Sequence, residues 1–244
     1  MIRELRQEAE LRAACGDDDL VMWTAQGLSG GARAWALGEA VVAGSREVSR
    51  RDRLAVWGDA SSAVGLVRHA LAELGPRFRP FGELELMREV TAKLDDVQES
   101  GRFSWMSLPA YGGDPVAGVG WLADADAEVS ALLARDAPES YAVPGAPGVR
   151  RWAGLREGGV LAAVAADAWS APTVGLLAGV ATRASFRGRG LAERVCRWVS
   201  AQLVAAHGRA ALMVDDDNAA ALAVYERIGY RRRPVMAAHV GRNS

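Results

Sequence analysis

The stretch Ser185–Val195, SFRGRGLAERV, decides how this chain is read. It sets two glycines among three arginines at the mouth of an apolar-periodic run. The segment before it, TVGLLAGVAT (Thr173–Thr182), is almost unbrokenly apolar, which predicts a strand buried on both faces. After it, Leu191, Val195, Trp198 or Val199, and Leu203 recur at helical spacing, and Gly208 supplies a stop. The order is therefore strand, glycine-arginine turn, helix. The first N–H groups of a helix lack partners inside it and carry the positive end of its dipole. Phosphate binds there when no side chain blocks its approach, which is what glycine supplies. Residues 183 to 197 hold five arginines against one glutamate. The turn is not of the Walker type, since no Gly-Lys-Ser/Thr follows, and it lacks the Gly-x-Gly-x-x-Gly spacing of dinucleotide sites. A solvated basic helix start fits this stretch as well, so the rest of the chain must choose.

A second stretch bears on the choice, DDDNAAALAVYERIGY (Asp215–Tyr230). Asn218 is a good helix N-cap, and Gly229 sits where a left-handed C-terminal residue belongs. Tyr225 follows Asn218 by two helical turns, so both can face one groove. A cap and a tyrosine packed on a sheet are the plain alternatives.

Together the order strand, Arg187-x-x-Gly190-x-Ala192, helix, strand, Asn218, helix with Tyr225, Gly229-Tyr230, strand resembles the GCN5-related N-acetyltransferase (GNAT) superfamily. The likeness spans about residues 118 to 240, with its specific core at Val180–Tyr230. It implies an α/β (α+β) GNAT fold, a mixed central β-sheet flanked by helices. It also implies that Arg187, Gly188, Arg189, Gly190, Leu191 and Ala192 bind the pyrophosphate of acetyl-CoA. Val180, Ala181 and Thr182 would pair with its pantetheine arm. Asn218 and Ala221 would hold that arm, and Tyr225 would sit by the thioester sulfur as the catalytic acid. Ala184 stands where many relatives have proline, a mild departure.

The first half lacks a second Arg-x-x-Gly-x-Gly/Ala segment. VWGDASSAVGLV starts a helix after a strand without the phosphate-binding spacing. The layout is similar to acyltransferases that pair a degenerate N-terminal lobe with a catalytic C-terminal one, the glycine N-acyltransferase-like (FR47-like) group. We therefore expect two units. Residues 1–117 form an α/β lobe without the coenzyme site, closing one side of the substrate cleft, and residues 118–244 form the catalytic domain. AYGGDPVAG (Ala110–Gly118) is the linker between them.

Within the first half, Ala32–Gly44 and Asp52–Asp59 read as strands, and ASSAVGLVRHALAELG as a helix with Val64, Val67, Leu71 and Leu74 on one face. A second helix is expected over about Glu83–Val97, and FSWMSLP as a short strand. In the second half DAEVSALLARD reads as a helix. VRRWAGLREGGVLAAVAADAW reads as a hairpin about a Glu-Gly-Gly turn, AALMVD as a strand and RRRPVMAAHV as the last strand.

Composition sets the outer bounds. The 244 residues are long enough to bury a core as one large domain or two small ones. A net charge of −1 leaves no global field to draw the protein to nucleic acid or to an anionic membrane, so any anion site is local. Lys93 is the only lysine. Cys15 and Cys196 are too few for a disulfide scaffold or a cysteine-rich metal site, and Cys196 falls on the core face of its helix. His69, His207 and His239 are scattered, and no metal is expected. The N-terminal MIRELRQEAELRAA has no signal-peptide apolar stretch, and no run approaches a bilayer span. A cytoplasmic protein follows, a monomer or homodimer, with a small-molecule amine as acceptor.

Acyl transfer to an amine needs a neutral nucleophile, support for an oxyanion, and a proton for the departing thiolate. Tyrosine, with a reference pKa of about 10, can donate to a thiolate of about 8.5. A backbone N–H near Val180–Thr182 would steady the oxyanion. For the base, Glu139, Asp167 and a water remain open. The alternative to an enzyme is an acyl-CoA sensor that has lost its chemistry.

Overall fold

The computed structural model describes residues 1–113 and 116–241. Asp114 and Pro115, inside the expected linker, lie outside the described residues. The strands, in chain order, are β1 (Arg3–Leu5), β2 (Arg33–Leu37), β3 (Ala40–Val48), β4 (Arg51–Trp57), β5 (Arg79–Glu83), β6 (Val97–Leu108), β7 (Val119–Trp121), β8 (Val149–Glu157), β9 (Val160–Ala168), β10 (Gly175–Thr182), β11 (Ala210–Val214) and β12 (Arg231–Val240). The helices are α1 (Glu8–Ala14), α2 (Asp19–Ala25), α3 (Ala60–Leu74), α4 (Leu84–Thr91), α5 (Asp126–Asp136), α6 (Leu191–His207) and α7 (Ala219–Ile228).

All these strands join one mixed sheet in the order β1-β2-β3-β4-β5-β12-β6-β11-β10-β9-β8-β7. Read from the middle outward, the order is the same from either side once six is added to each strand number of the first half. β4-α3-β5-α4-β6 repeats as β10-α6-β11-α7-β12. In both copies the first two strands are parallel, and the third crosses into the other half. β6 of the first half pairs with β11 through Ser104–Leu108, and β12 of the second half pairs with β5 through Val235–Ala237. β6 and β12 then pair antiparallel with each other from Arg231↔Ser107 to Val240↔Val97.

The core follows this exchange. On one face a single apolar cluster takes Trp23, Phe81 and Trp105 from the first half and Trp152, Val164 and Leu176 from the second. On the other face the clusters are separate. One lies under α3 and α4, with Leu66, Val67 and Met87, and one under α6 and α7, with Val195, Val199, Leu203 and Tyr225. Polar ties cross the halves as well. The Arg209 guanidinium donates to the Asp17 carboxylate at 2.8 Å, Arg233 pairs with Asp18 and Asp19, and Trp23 Nε1 donates to the Trp169 carbonyl at 2.8 Å.

Several local expectations change. Ala32–Gly44 is a hairpin rather than one strand, because Gly38, at φ 53°, turns the chain between β2 and β3. The helix expected over Glu83–Val97 is half strand and turn. α4 is capped by the Glu83 side chain and stops at Thr91, and β6 begins at Val97 and runs far longer than FSWMSLP alone suggests. In α3 the fully buried residues are Ala63, Leu66, Val67 and Ala70, and Val64, Leu71 and Leu74 pack partly buried against the same cluster. The expected α5, the β8–β9 hairpin, β10, β11 and β12 are present.

A cut between residues 117 and 118 takes β6 from β11 and takes both neighbours from β12. The fragment 118–244 is expected to be unfolded alone and to form a soluble complex with 1–117 when the two are co-expressed. Size-exclusion chromatography and far-ultraviolet circular dichroism check this, and a cooperatively folding lone fragment would refute it.

Candidate active site

β10 and β11 are parallel partners for two residues only, Gly175↔Ala210 and Leu176↔Ala211, and then diverge. On its other side β10 has a bulge. Between Ala178 and Ala181 its register to β9 slips by one residue, placing an extra residue at Gly179–Val180. Gly179 has φ 62°, and a Cβ there would meet the Trp152 ring at 2.5 Å, so glycine is required. Bulged backbone is unpaired with the neighbouring strand. A cleft of about 510 Å³ opens where the strands part, within the size range of small-ligand sites.

Its lining comes from both faces of the sheet. Asn218, Ala221 and Tyr225 of the α7 side border it, as do Leu176–Val180 of β10, Met213 and Val214 of β11, and Asp215 just after it. From the shared core face come Phe81, Phe103, Trp169 and Ala237. The cleft thus touches residues of both faces of the sheet at this gap, with Tyr225 on its lining.

Asn218 caps α7 as expected, its Oδ1 accepting from the Ala221 N–H at 3.1 Å, and Gly229 ends the helix at φ 108°. Tyr225 is buried to 7% exposure, with its ring edge-on to Tyr230 at 6.0 Å. Tyr230 shares a hydrogen bond with Ser200, whereas the Tyr225 hydroxyl has no hydrogen-bond partner among the described residues. Burial pushes the Tyr225 phenol well above its ordinary value, with smaller contributions from Cys196 and Tyr230, so it stays protonated. Cys196 is fully buried, and desolvation drives its thiol up to about 12, a core residue rather than a nucleophile.

Val180 lines the cleft with Asn218, Ala221 and Tyr225; the other expected binding residues, Ala181, Thr182 and Arg187 to Ala192, are not on its lining. Ala181 is buried, and the Thr182 hydroxyl is buried without a partner among the described residues. The turn follows. Gly188 and Gly190 have φ 76° and 72°, and a Cβ on either would meet nothing within 4 Å, so the space before the backbone is open. Gly190 is the N-cap of α6 and offers no side-chain cap, which leaves the first-turn amides of Leu191 and Ala192 to an outside acceptor. The Arg187 guanidinium reaches back to the carbonyls of Thr182 and Asp136, at 3.3 and 2.9 Å, so it braces the turn. Arg189 pairs with Glu157 at 3.1 Å.

Neither expected carboxylate base borders the cleft. Asp167 is 1% exposed, held by Arg151 at 3.2 Å and by the Ser170 hydroxyl at 2.6 Å, and Ser170 in turn accepts from the Leu176 amide. Glu139 is exposed, although its neighbours Ser140 and Tyr141 are on the lining. Asp215 is the one carboxylate on the lining among the described residues. The run of three aspartates before Asn218 was its only signal in the sequence, and nothing there ranked it above Asp216, which pairs with Arg232 and Ser104. No group of three or more His, Cys, Asp or Glu poised for a metal occurs among the described residues, and none of their helices is long and apolar enough to cross a membrane.

With this geometry in hand, comparisons with known proteins agree on the fold. Residues 153–238, from β8 through most of β12, match the family model described as FR47-like protein. No curated protein matches the chain. Among solved structures, an N-acetyltransferase of the GCN5-related type from Kribbella flavida is 20% identical with a TM-score of 0.58, over 96% of this chain and 95% of that one. A GNAT-family putative acetyltransferase from Novosphingobium aromaticivorans is 24% identical with a TM-score of 0.50, over 86% and 91%. A GNAT-family acetyltransferase from Colwellia psychrerythraea is 13% identical with a TM-score of 0.52, over 98% and 99%. The fold is that of the GNAT acetyltransferases, and the likeness runs through both halves.

Glu193, in the first turn of α6, ties that helix end to α7. It accepts from Arg197 at 2.8 Å and from Arg227 at 3.0 Å, and the Arg197 bond, with Arg227 adding to it, outweighs burial and holds the carboxyl below the usual range. A depressed carboxyl contributes stability in full above its unfolded pKa of about 4.3 and loses it as pH falls through the folded value. Glu193→Gln should therefore cost up to about 1 kcal/mol near neutral pH, a few degrees of melting temperature. The difference should vanish in acid, which melting curves across pH 3 to 7 would record.

Proposed function

We propose that this chain is an acetyl-CoA-dependent N-acetyltransferase acting on the primary amine of a small molecule or amino acid. The observation that carries the reading is the partnerless hydroxyl of the largely buried Tyr225, on the cleft lining beside bulged backbone at the point where β10 and β11 part. The family-model match over residues 153–238 and the fold support it.

In this reading the second half holds the coenzyme and the first half closes the acceptor side. The open glycine turn and first-turn amides from Gly188 to Ala192 receive the pyrophosphate, with the helix dipole behind them. Arg187 acts chiefly by holding the turn in shape. Backbone of Val180–Thr182 pairs with the pantetheine arm, and the partnerless Thr182 hydroxyl and the small Ala221 flank it. Bulged backbone at Gly179–Val180 donates to the oxyanion, a contribution of roughly 3 kcal/mol at comparable sites. Tyr225, kept protonated by burial, returns a proton to the thiolate. Water deprotonates the incoming ammonium, with Asp215 at the cleft edge as the carboxylate able to take that proton on.

Two variants test this. Tyr225→Phe removes only the hydroxyl, so coenzyme affinity and melting should hold while kcat falls by about 10²- to 10⁴-fold. A fall of less than about threefold, with chemistry rate-limiting, would exclude Tyr225 as the acid. Gly190→Asp is the probe for the turn. Aspartate tolerates the left-handed backbone that valine does not, so the fold should persist. Its carboxylate would oppose phosphate, weakening CoA binding at least about tenfold, ~1.4 kcal/mol, as read by calorimetry. Unchanged affinity would remove the phosphate assignment.

A further inference from the structure

On the far side of the cleft from Tyr225 stand three arginines of the first half. Arg51 and Arg53 lie two apart on β4 and so share a face. Arg53 is directly opposite Arg79 on the parallel neighbour β5, and all three line the cleft. Among the described residues no carboxylate oxygen lies within 4 Å of any of them. Elsewhere in this protein arginines are commonly paired, and Arg102, the fourth arginine on the lining, is neutralised by Glu99 at 2.6 Å. Arg53 is the most constrained of the three. Its guanidinium lies over the rings of Trp23 at 5.6 Å and Phe81 at 5.3 Å, and its Nε donates to the Val48 carbonyl at 2.9 Å. The Arg51 guanidinium reaches only the Tyr141 hydroxyl, at 3.4 Å, and the Arg79 guanidinium has no hydrogen-bond partner among the described residues. Burial lowers the Arg53 pKa to about 10, and its neighbours Arg51 and Arg79 push in the same direction.

Three like charges set side by side on a cleft without a carboxylate partner, with Arg53 largely desolvated, cost stability unless the site is built to receive an anion. The aromatic stack fixes the Arg53 plane, and a fixed guanidinium suits a carboxylate or phosphate. Between this wall and Tyr225 the lining includes the pair Gly101↔Ala237, the smallest facing residues on β6 and β12, along with Phe103 and Met213.

We propose that Arg51, Arg53 and Arg79 form an anion subsite, and that the acceptor amine carries a carboxylate or phosphate bound there. The proposal rests on the acetyltransferase reading for the identity of the ligand as acceptor. The arginines hold the anion, which orients the amine toward the thioester from the face opposite the coenzyme. A neutral amine lacks that anchor, so its KM rises more than its kcat falls.

The test uses the full chain with acetyl-CoA and matched acceptor pairs. These are amino acids against their C-terminal amides, and O-phosphoethanolamine against ethanolamine. Thiol release is followed, and calorimetry measures binding of the same compounds to the protein with CoA. The anionic member of at least one pair should be favoured at least about tenfold in kcat/KM, the loss expected for one charge-assisted hydrogen bond. Arg79→Gln should collapse that ratio toward one, mostly through KM. Arg77→Gln, the same charge loss at an exposed residue outside this cleft, should leave the ratio intact. Arg53→Gln is the second variant. Should loss of its stack unfold the protein, Arg79→Gln and Arg51→Gln still decide.

Turnover with no preference within any pair, or equal loss on both members in Arg79→Gln, would overturn the subsite and leave the transferase reading standing. Arginine-dependent binding of the anionic members without thiol release would do the reverse. A charge preference that moves to the donor, with succinyl-CoA replacing acetyl-CoA as the better substrate and losing that advantage in Arg79→Gln, would assign the arginines to the acyl group and overturn the acceptor proposal.

Discussion

The antiparallel pair β6–β12 is the contact on which the arrangement of this molecule depends. Each strand belongs by sequence to one half and is flanked on its outer side by the other half's sheet. Neither half can complete its own sheet, so the first cannot drift as a tethered lobe while the second works. The shared apolar cluster over that pair, with Trp105 of β6 and Val235 of β12, makes the same point by packing. What the exchange secures is distance. It fixes β4 and β5 of one half against the β10–β11 gap of the other, with a floor only two strands wide.

The two halves repeat a topology but not a site, and the difference is local. β4 and β5 stay paired from Arg53↔Arg79 to Val56↔Gly82, whereas β10 and β11 part after two pairs. After β4 the chain turns through Gly58, where a Cβ would lie 1.9 Å from the Glu39 carbonyl oxygen. The corresponding turn after β10 has open space before Gly188 and Gly190. At the head of α3, Asp59 accepts from the Ser62 amide, filling by a side chain the position that α6 leaves open at Gly190. The head of α3 is thus capped by its own side chain beside a closed strand pair, and the first half presents its arginine face to the cleft.

Legibility in the sequence followed the range of each interaction. α5, α6, α7 and the β8–β9 hairpin could be read because caps, glycine stops and periodicity act within a few residues. Asn218 and Tyr225 could be placed on one groove because helical geometry alone relates them. The extent of β6 could not, since Gln98–Gly101 has a polar, exposed pattern and owes its strand state to β12, far along the chain. The bulge at Gly179 was equally hidden. Its signal is a single glycine in an apolar run, and its reason is the ring of Trp152 on β8, two strands away in the same sheet. Asp167 and Glu139 show the same limit for a site. Both looked available in sequence, but Arg151 and Ser170 engage the first and the loop turns the second outward.

Charge shows most clearly why a total is a poor guide to a site. The chain is nearly neutral, yet its arginines fall into two populations. Those around the glycine turn are tied to carboxylates or carbonyls, Arg189 to Glu157 and Arg197 to Glu193 among them, so their positive field is largely spent on holding the turn. There the free electrostatic capacity lies in backbone amides and the helix dipole. At Arg51, Arg53 and Arg79 the reverse holds, with side-chain charge unpaired and backbone engaged in strand pairing. A phosphate ester and a compact carboxylate make different demands. The first spreads charge over several oxygens that many amides can share, and the second suits a planar guanidinium held in place. The chain thus carries two kinds of positive surface, backbone amides at the head of α6 and an arginine face on the cleft, and Tyr225 lines that cleft with the arginines.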